Sequence, residues 1–270
     1  MPQATIPHYV FDNDGAHSAD QHRCLADLLD PLSFARLAGT GVAAGWHCLE
    51  IGAGGGSVAR WLAERVAPDG QVLATDIKPS LIPSHPGLTV LQHDIVHDPL
   101  PDAGFDLIHA RLVLSHLPDR QRVLTRLLRA LRPGGWLQLD EIDITHWPAL
   151  LTPDGGAREL YETYLTTLAT VLGAVGGDPT WGRSAAQAVA EAGFTAVDPA
   201  CHVEVWGPDS PGLGLLISNS HHLEDQLLAA GMTPGQLTGV RALMTEPGFR
   251  AVSFTVHTVH GRRPQAGGEA

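Results

Sequence analysis

Along the first half of this chain, short apolar runs alternate with stretches whose apolar residues recur every three or four positions. The runs at 47–52, 71–76, 88–95, 105–110 and 136–140 have strand length and are bounded by turn residues. Leu25, Leu28, Leu29, Leu32 and Phe34 mark a helix over 18–39, with Ser18 as its N-cap and Pro31 as a kink or break. Val58, Trp61, Leu62 and Val66 mark a second helix. A third carries Val123, Leu124, Leu127, Leu128 and Leu131, with Pro118 in its first turn and a stop at Pro133-Gly134-Gly135. One crossover departs from this rhythm: Pro79, Pro83 and Pro86 forbid a long helix between the second and third runs. Alternating strands and helices predict an α/β fold, a mostly parallel sheet covered on both faces.

After residue 145 the pattern changes. Residues 155–175 and 185–192 read as helices, 203–206 and 251–259 as strands, and 211–246 as an apolar helical stretch. The predicted organisation is an N-terminal lid and helix (1–40), a core (41–145), a helical cap insertion (146–181), a core helix and strand (182–206), a second helical cap insertion (207–248), a final core strand (249–263) and a disordered tail (264–270). Tyr9 and Phe11 are the candidates for closing a pocket from the lid.

Composition narrows the partners. At 270 residues and 44% hydrophobic, the chain can bury one sizeable core plus an elaboration. No apolar run approaches the ~20 residues of a membrane span, and the first residues lack the basic start and apolar run of a signal peptide. Cys24, Cys48 and Cys201 have no metal-ligand spacing. These features predict a cytoplasmic protein with no membrane partner. A net charge of −12 argues against a nucleic-acid partner, which calls for a basic footprint. Lys78 is the only lysine among 17 basic residues. With abundant Ala, Gly and Pro, that bias points to a GC-rich bacterial gene and says nothing of function.

The candidate chemistry starts at Glu50-Ile51-Gly52-Ala53-Gly54-Gly55-Gly56-Ser57, a strand end, a glycine turn and a helix start. A second acid, Asp76, closes the next apolar run. Strand, glycine turn, helix, strand and acid together form a cradle for an adenosine-containing cofactor. A dinucleotide turn places its third glycine where Ser57 stands; here that glycine comes one residue early. Missing Cβ atoms let a ligand approach the backbone closely.

The pieces Glu50–Gly56, Ala74-Thr75-Asp76, His93-Asp94-Ile95, Phe105-Asp106-Leu107-Ile108, Ala110–Asp119 and Leu131–Gly135 resemble successive motifs of class I S-adenosylmethionine-dependent methyltransferases. They are similar in particular to the ubiquinone/menaquinone-biosynthesis and small-molecule branch. The resemblance covers about residues 20–145 and departs at the proline-rich 79–86 segment, where the family has a helix. It implies a Rossmann-like, mostly parallel seven-stranded sheet with helices on both faces and a helical cap. It also implies S-adenosylmethionine as cofactor, with S-adenosylhomocysteine as product, held by Glu50, Gly52, Ala53, Gly54, Asp76, Ile77, Asp94, Ile95, Ala110 and Arg111. In that scheme Asp76 accepts from the ribose hydroxyls, Ile77 and Ile95 flank the adenine, and Asp94 accepts from its amino group. The Ala110 carbonyl lies near the methionine ammonium.

Methyl transfer to oxygen needs a proton removed, and a positioned histidine is a sensible base. His116 and His146 follow the fourth and fifth strands and are the candidates. Arg111 steers an anionic acceptor or pairs with Asp140 or Glu141. The place after the fourth strand reads His109-Ala110-Arg111, without the Asp/Asn-Pro-Pro-aromatic motif of adenine methylases and without a carboxylate for a metal, so no metal is expected. The expected function is metal-independent methylation of a small organic acceptor, a bacterial specialised metabolite, with O-methylation slightly favoured. The alternative is a methyltransferase-like cyclase or lyase that keeps the sulfonium intact. An NAD-dependent oxidoreductase and a non-catalytic binding module fit the motifs less well. A homodimer is left open.

Overall fold

The computed structural model describes residues 18–117, 119–174 and 176–265. The lid pair Tyr9 and Phe11, Pro118, the Ser18 capping side chain and residues 266–270 lie outside what is described. In chain order the elements are α1 (Ser18–Gly39), β1 (His47–Ile51), α2 (Ser57–Val66), β2 (Gln71–Asp76), β3 (Leu88–Gln92), β4 (Phe105–Arg111), α3 (Arg120–Ala130), β5 (Leu131–Asp143), β6 (Ala149–Leu151), α4 (Gly155–Ala174), α5 (Trp181–Glu191), β7 (Thr195–His202), β8 (Val205–Trp206), α6 (Pro211–His222), α7 (Glu224–Ala229), α8 (Pro234–Met244), β9 (Arg250–Val252) and β10 (Thr255–Arg262). Among the described residues no helix is long and apolar enough to cross a membrane.

Seven strands form one sheet in the order β3-β2-β1-β4-β5-β10-β7. The pairs from β3 to β5 are parallel, whereas β10 runs antiparallel to both β5 and β7. The period of two along each strand sends alternate residues to opposite faces. Cys48, Val72, Ala74 and Leu107 pack with α2 and Leu37 of α1. Leu49, Ile51, Ile108 and Leu139 pack with α3 and α5 on the other face. The Phe34 and Trp61 rings stack at 5.0 Å and tie α1 to α2. Pro31 does not break α1, which runs as one 22-residue helix.

A second apolar cluster lies above the strand ends. It joins α4, α6, α7 and α8 to Trp147, Trp206, Phe249 and Phe254. Beneath it sits a three-stranded sheet ordered β6-β9-β8. This corrects two sequence expectations. The run 203–206 supplies β8 of this small sheet, and the main-sheet strand is instead Thr195–His202. The run 251–259 is divided: β9 joins the small sheet and β10 the main one. The edge strand β7 was hidden because it is largely exposed, shows no apolar alternation and contains Pro199, which only an edge tolerates. The proline-rich crossover holds a single 3-10 turn, Pro79–Leu81, as its composition dictates. The third strand stops at Gln92, and His93 N–H gives the last ladder bond to the Asp76 carbonyl at 3.0 Å.

Candidate active site

The glycine turn follows β1 directly. Gly52 has φ +63°, a left-handed conformation that L side chains avoid, and a Cβ there would stand 2.4 Å from Val113 Cγ2. The turn is fastened to β2. Ala53 N–H donates to the Thr75 carbonyl at 3.0 Å, and Gly54 N–H donates to Asp76 Oδ2 at 2.9 Å. Asp76 Oδ1 accepts Lys78 N–H at 2.8 Å. The acid that closes β2 is thus anchored by the turn it faces.

Helix α1 adds residues that no motif announced. His22 lies over the turn: a Cβ on Gly54 would come within 2.8 Å of its ring. Burial lowers its pKa, and Arg111 adds to that against the pull of Asp76. Deeper along α1, Asp30 Oδ1 accepts from Ser57 Oγ at 2.9 Å and from Arg111 Nη1 at 2.8 Å. Arg111 also donates to Ser33 Oγ at 3.2 Å. Arg111 therefore pairs with Asp30, and not with Asp140 or Glu141, the pairing the sequence offered as an alternative to steering an acceptor. The N-terminal end of α2, where a dinucleotide rests its pyrophosphate, meets the protein's own carboxylate.

A cavity of about 520 Å³ opens at this turn and reaches under α4 and α6. Gly52, Ala53 and Gly54 line it, as do Asp76 with Ile77, Asp94 with Ile95, and Arg111. Ile77 is 38% exposed and Ile95 buried. Asp94 reaches the wall, but its oxygens already accept from Val96 N–H at 2.8 Å and meet His97 Nδ1 at 2.7 Å. Partial burial acts upward on that carboxyl, and these bonds hold it below its ordinary value. The loop after β3 thus uses Asp94 as a turn cap.

Glu50 and Ala110 do not line the cavity. Glu50 is buried in the sheet, with its Oε2 2.7 Å from His109 Nδ1, and His109 Nε2 lies 2.9 Å from Asp140 Oδ2. Gln138 continues the row, donating to Asp140 and accepting from His260 Nε2 at 2.9 Å. Burial opposes charge on His109, but the two carboxylates outweigh it and raise its pKa to about 9. Burial raises Glu50, whereas Asp140, equally buried, is lowered by its bonds to His109. The motif acid Glu50 is therefore a structural partner in a polar seam beneath α1.

His116 lines the cavity on the 3-10 turn Leu114–His116 after β4. That turn is fixed from two sides. Arg120 donates to the Leu114 and Ser115 carbonyls at 2.7 and 2.9 Å, and Glu141 Oε1 accepts Leu114 N–H at 3.0 Å. Burial pushes the Glu141 carboxyl up to about 8. Burial and the neighbouring Arg120 lower His116 to about 4, so its ring is neutral at physiological pH. His146, the other candidate base, is exposed and outside the cavity wall; its neighbour Trp147 lines it instead. The acids at the end of β5 go to separate partners, Asp140 to His109, Glu141 to Leu114 and Asp143 to Arg183.

Residues 49–139 match the family model described as a methyltransferase domain. Over that stretch, about a third of its length, the chain is similar to methyltransferases. The chain is 39% identical over 140 residues to methyltransferase str2 of Strobilurus tenacellus, covering 50% of this chain and 48% of that protein. It is 27% identical over 162 residues to the ubiquinone/menaquinone biosynthesis C-methyltransferase UbiE of Ralstonia pickettii, covering 57% and 63% of the two chains. It thus spans about half the length of its first curated relatives. Among solved structures, a Bacillus halodurans C-125 protein described as a methyltransferase superposes with a TM-score of 0.56 at 17% identity, over 86% of this chain and 98% of that one, which shows the fold.

The cavity has walls that suit an adenosyl sulfonium ligand on their own chemistry. Asp76 and Asp94 line its turn end, and the cation there, Arg111, is held by Asp30. Ile77 and Ile95 offer apolar surface to a purine, and Gly52, Ala53 and Gly54 line the cavity beside Val113 and His22, which fill the space that Cβ atoms on Gly52 and Gly54 would take.

Proposed function

We propose that this chain transfers a methyl group from S-adenosylmethionine to a small organic acceptor, a bacterial specialised metabolite, with oxygen the slightly favoured atom. The observation that carries this reading is the bond between Gly54 N–H and Asp76 Oδ2 in the wall of a cavity that continues under the cap helices. It supports one chamber with a cofactor end and an acceptor end.

Bound there, S-adenosylmethionine supplies an electrophilic methyl carbon on a sulfonium. Gly52, Ala53 and Gly54 give it backbone contact, Asp76 takes the ribose hydroxyls, and Ile77 with Ile95 encloses the adenine. The protein's main contribution is alignment, worth roughly 7–11 kcal/mol when two reactants are held in line. His116 is the cavity group suited to receive the acceptor's proton. Its depressed basicity makes it a hydrogen-bond acceptor that orients a hydroxyl and collects the proton only as the oxygen gives its electron pair to the methyl carbon and the O–H becomes acidic. The cap helices α4 and α6 exclude water from the acceptor end.

Incubation with methyl-labelled S-adenosylmethionine and a panel of phenolic, enolic and amine acceptors tests the reading. A labelled product formed with one equivalent of S-adenosylhomocysteine supports it. Conversion of an acceptor with no S-adenosylhomocysteine would overturn it in favour of cyclase or lyase chemistry.

A further inference from the structure

The cavity changes character across the sheet. Its turn end lies over β1, β2 and β3 and carries Asp76 and Asp94. The opposite end lies over β5 and β10 and is walled by carbon. Ile144 and Trp147 follow β5, and Phe254 precedes β10. Leu168 and Leu172 of α4 and Leu216 of α6 close it from above. The wall is also backed: Phe254 packs on Trp147 at 5.7 Å and stands perpendicular to Trp206 at 5.0 Å, with Trp206 buried behind both.

The polar groups at that end already have partners. Asn219 Oδ1 accepts from Gln21 Nε2 at 3.1 Å, joining α6 to α1. Asp178 pairs with Arg120 at 3.3 Å and accepts Thr180 N–H and Oγ. The arginines lining the cavity are Arg23, paired to Asp20 at 3.1 Å, and Arg111, paired to Asp30 at 2.8 Å. A charged acceptor would lose its hydration against carbon and gain no counter-charge, and burying an unpaired charge is costly. A neutral apolar acceptor loses little and gains contact area. Between the two ends the wall turns polar at Ser115, which bonds to Glu141, and at His116.

We infer that the acceptor is an uncharged, mainly apolar ring-bearing molecule that presents a hydroxyl to His116, and that the wall formed by α4, Trp147 and Phe254 discriminates against anionic and cationic acceptors. This rests on the methyl-transfer reading and adds the substrate class to it.

Calorimetry on the protein saturated with S-adenosylhomocysteine tests the inference with three matched probes: 1-naphthylmethanol, 1-naphthoate and 1-naphthylmethylammonium. The neutral alcohol is expected to bind at least tenfold tighter than either ion. Leu172→Glu is expected to keep S-adenosylhomocysteine affinity within twofold and to weaken 1-naphthylmethanol at least tenfold. Equal or tighter binding of a charged probe, no binding of the alcohol, or an alcohol affinity untouched by Leu172→Glu would overturn the substrate class while leaving the cofactor site standing. Failure of S-adenosylhomocysteine itself to bind would overturn the methyl-transfer reading and this inference with it.

Discussion

Gly54 N–H donates to Asp76 Oδ2 at 2.9 Å, so the glycine turn after β1 and the acid closing β2 form one rigid unit. The turn shapes the cavity floor, and the acid it anchors faces the same cavity. Parallel pairing of β1 with β2, Ile51 opposite Thr75, sets the distance between them.

Gly52→Ala is expected to damage both stability and cofactor binding. The left-handed conformation costs an L residue about 1–2 kcal/mol, and the new methyl meets Val113 at 2.4 Å. Thermal unfolding should shift downward by several degrees. Shortening the obstructing side chain in Gly52→Ala/Val113→Ala should recover part of the loss. A single variant that melts like the parent would contradict the turn geometry.

His109→Ala is expected to destabilise the fold by about 3–5 kcal/mol, because it strands Glu50 and Asp140 as buried carboxylates without their partner. The pH dependence has a definite sign. The folded-state pKa of His109 is raised to about 9 from an ordinary 6.5, so its contribution is complete below about 6.5 and is withdrawn as pH climbs through about 9. Urea melts at pH 7 and pH 9.5 should show that loss in the parent and a smaller one in His109→Gln.

For the reaction, His116→Ala is expected to lower kcat by roughly 10²–10⁴-fold if proton acceptance contributes its usual share. Since the ring is neutral above about 4, the kcat profile of the parent should lack a histidine limb between pH 5 and pH 7. A limb near 6.5 that disappears in the variant would show that His116 titrates as an exposed histidine does.

The parts of this site legible in the sequence are those built from neighbours in the chain. Strand, turn and helix at 47–66 and the acid at 76 declare themselves by local spacing. The fold's central strands were equally plain, since each is a short apolar run. What tertiary packing assembles was not legible: Asp30, Ser33 and His22 reach the site only because α1 lies across the strand ends. The bond of Glu50 to His109 was hidden for the same reason. The two residues sit 59 positions apart. A signal did exist, however: Glu50, His109, Gln138, Asp140 and His260 are polar residues at inward positions of otherwise apolar strands. Such residues need one another.

The central claim is that the turn and Asp76 hold S-adenosylmethionine. Isothermal titration of S-adenosylhomocysteine into the parent and Asp76→Ala tests it most directly. Each bond to the carboxylate is worth about 1.5–3 kcal/mol, so one-to-one binding in the parent and a loss of at least tenfold in the variant are predicted. Undiminished affinity in a folded Asp76→Ala protein, or no binding to the parent, would contradict the account.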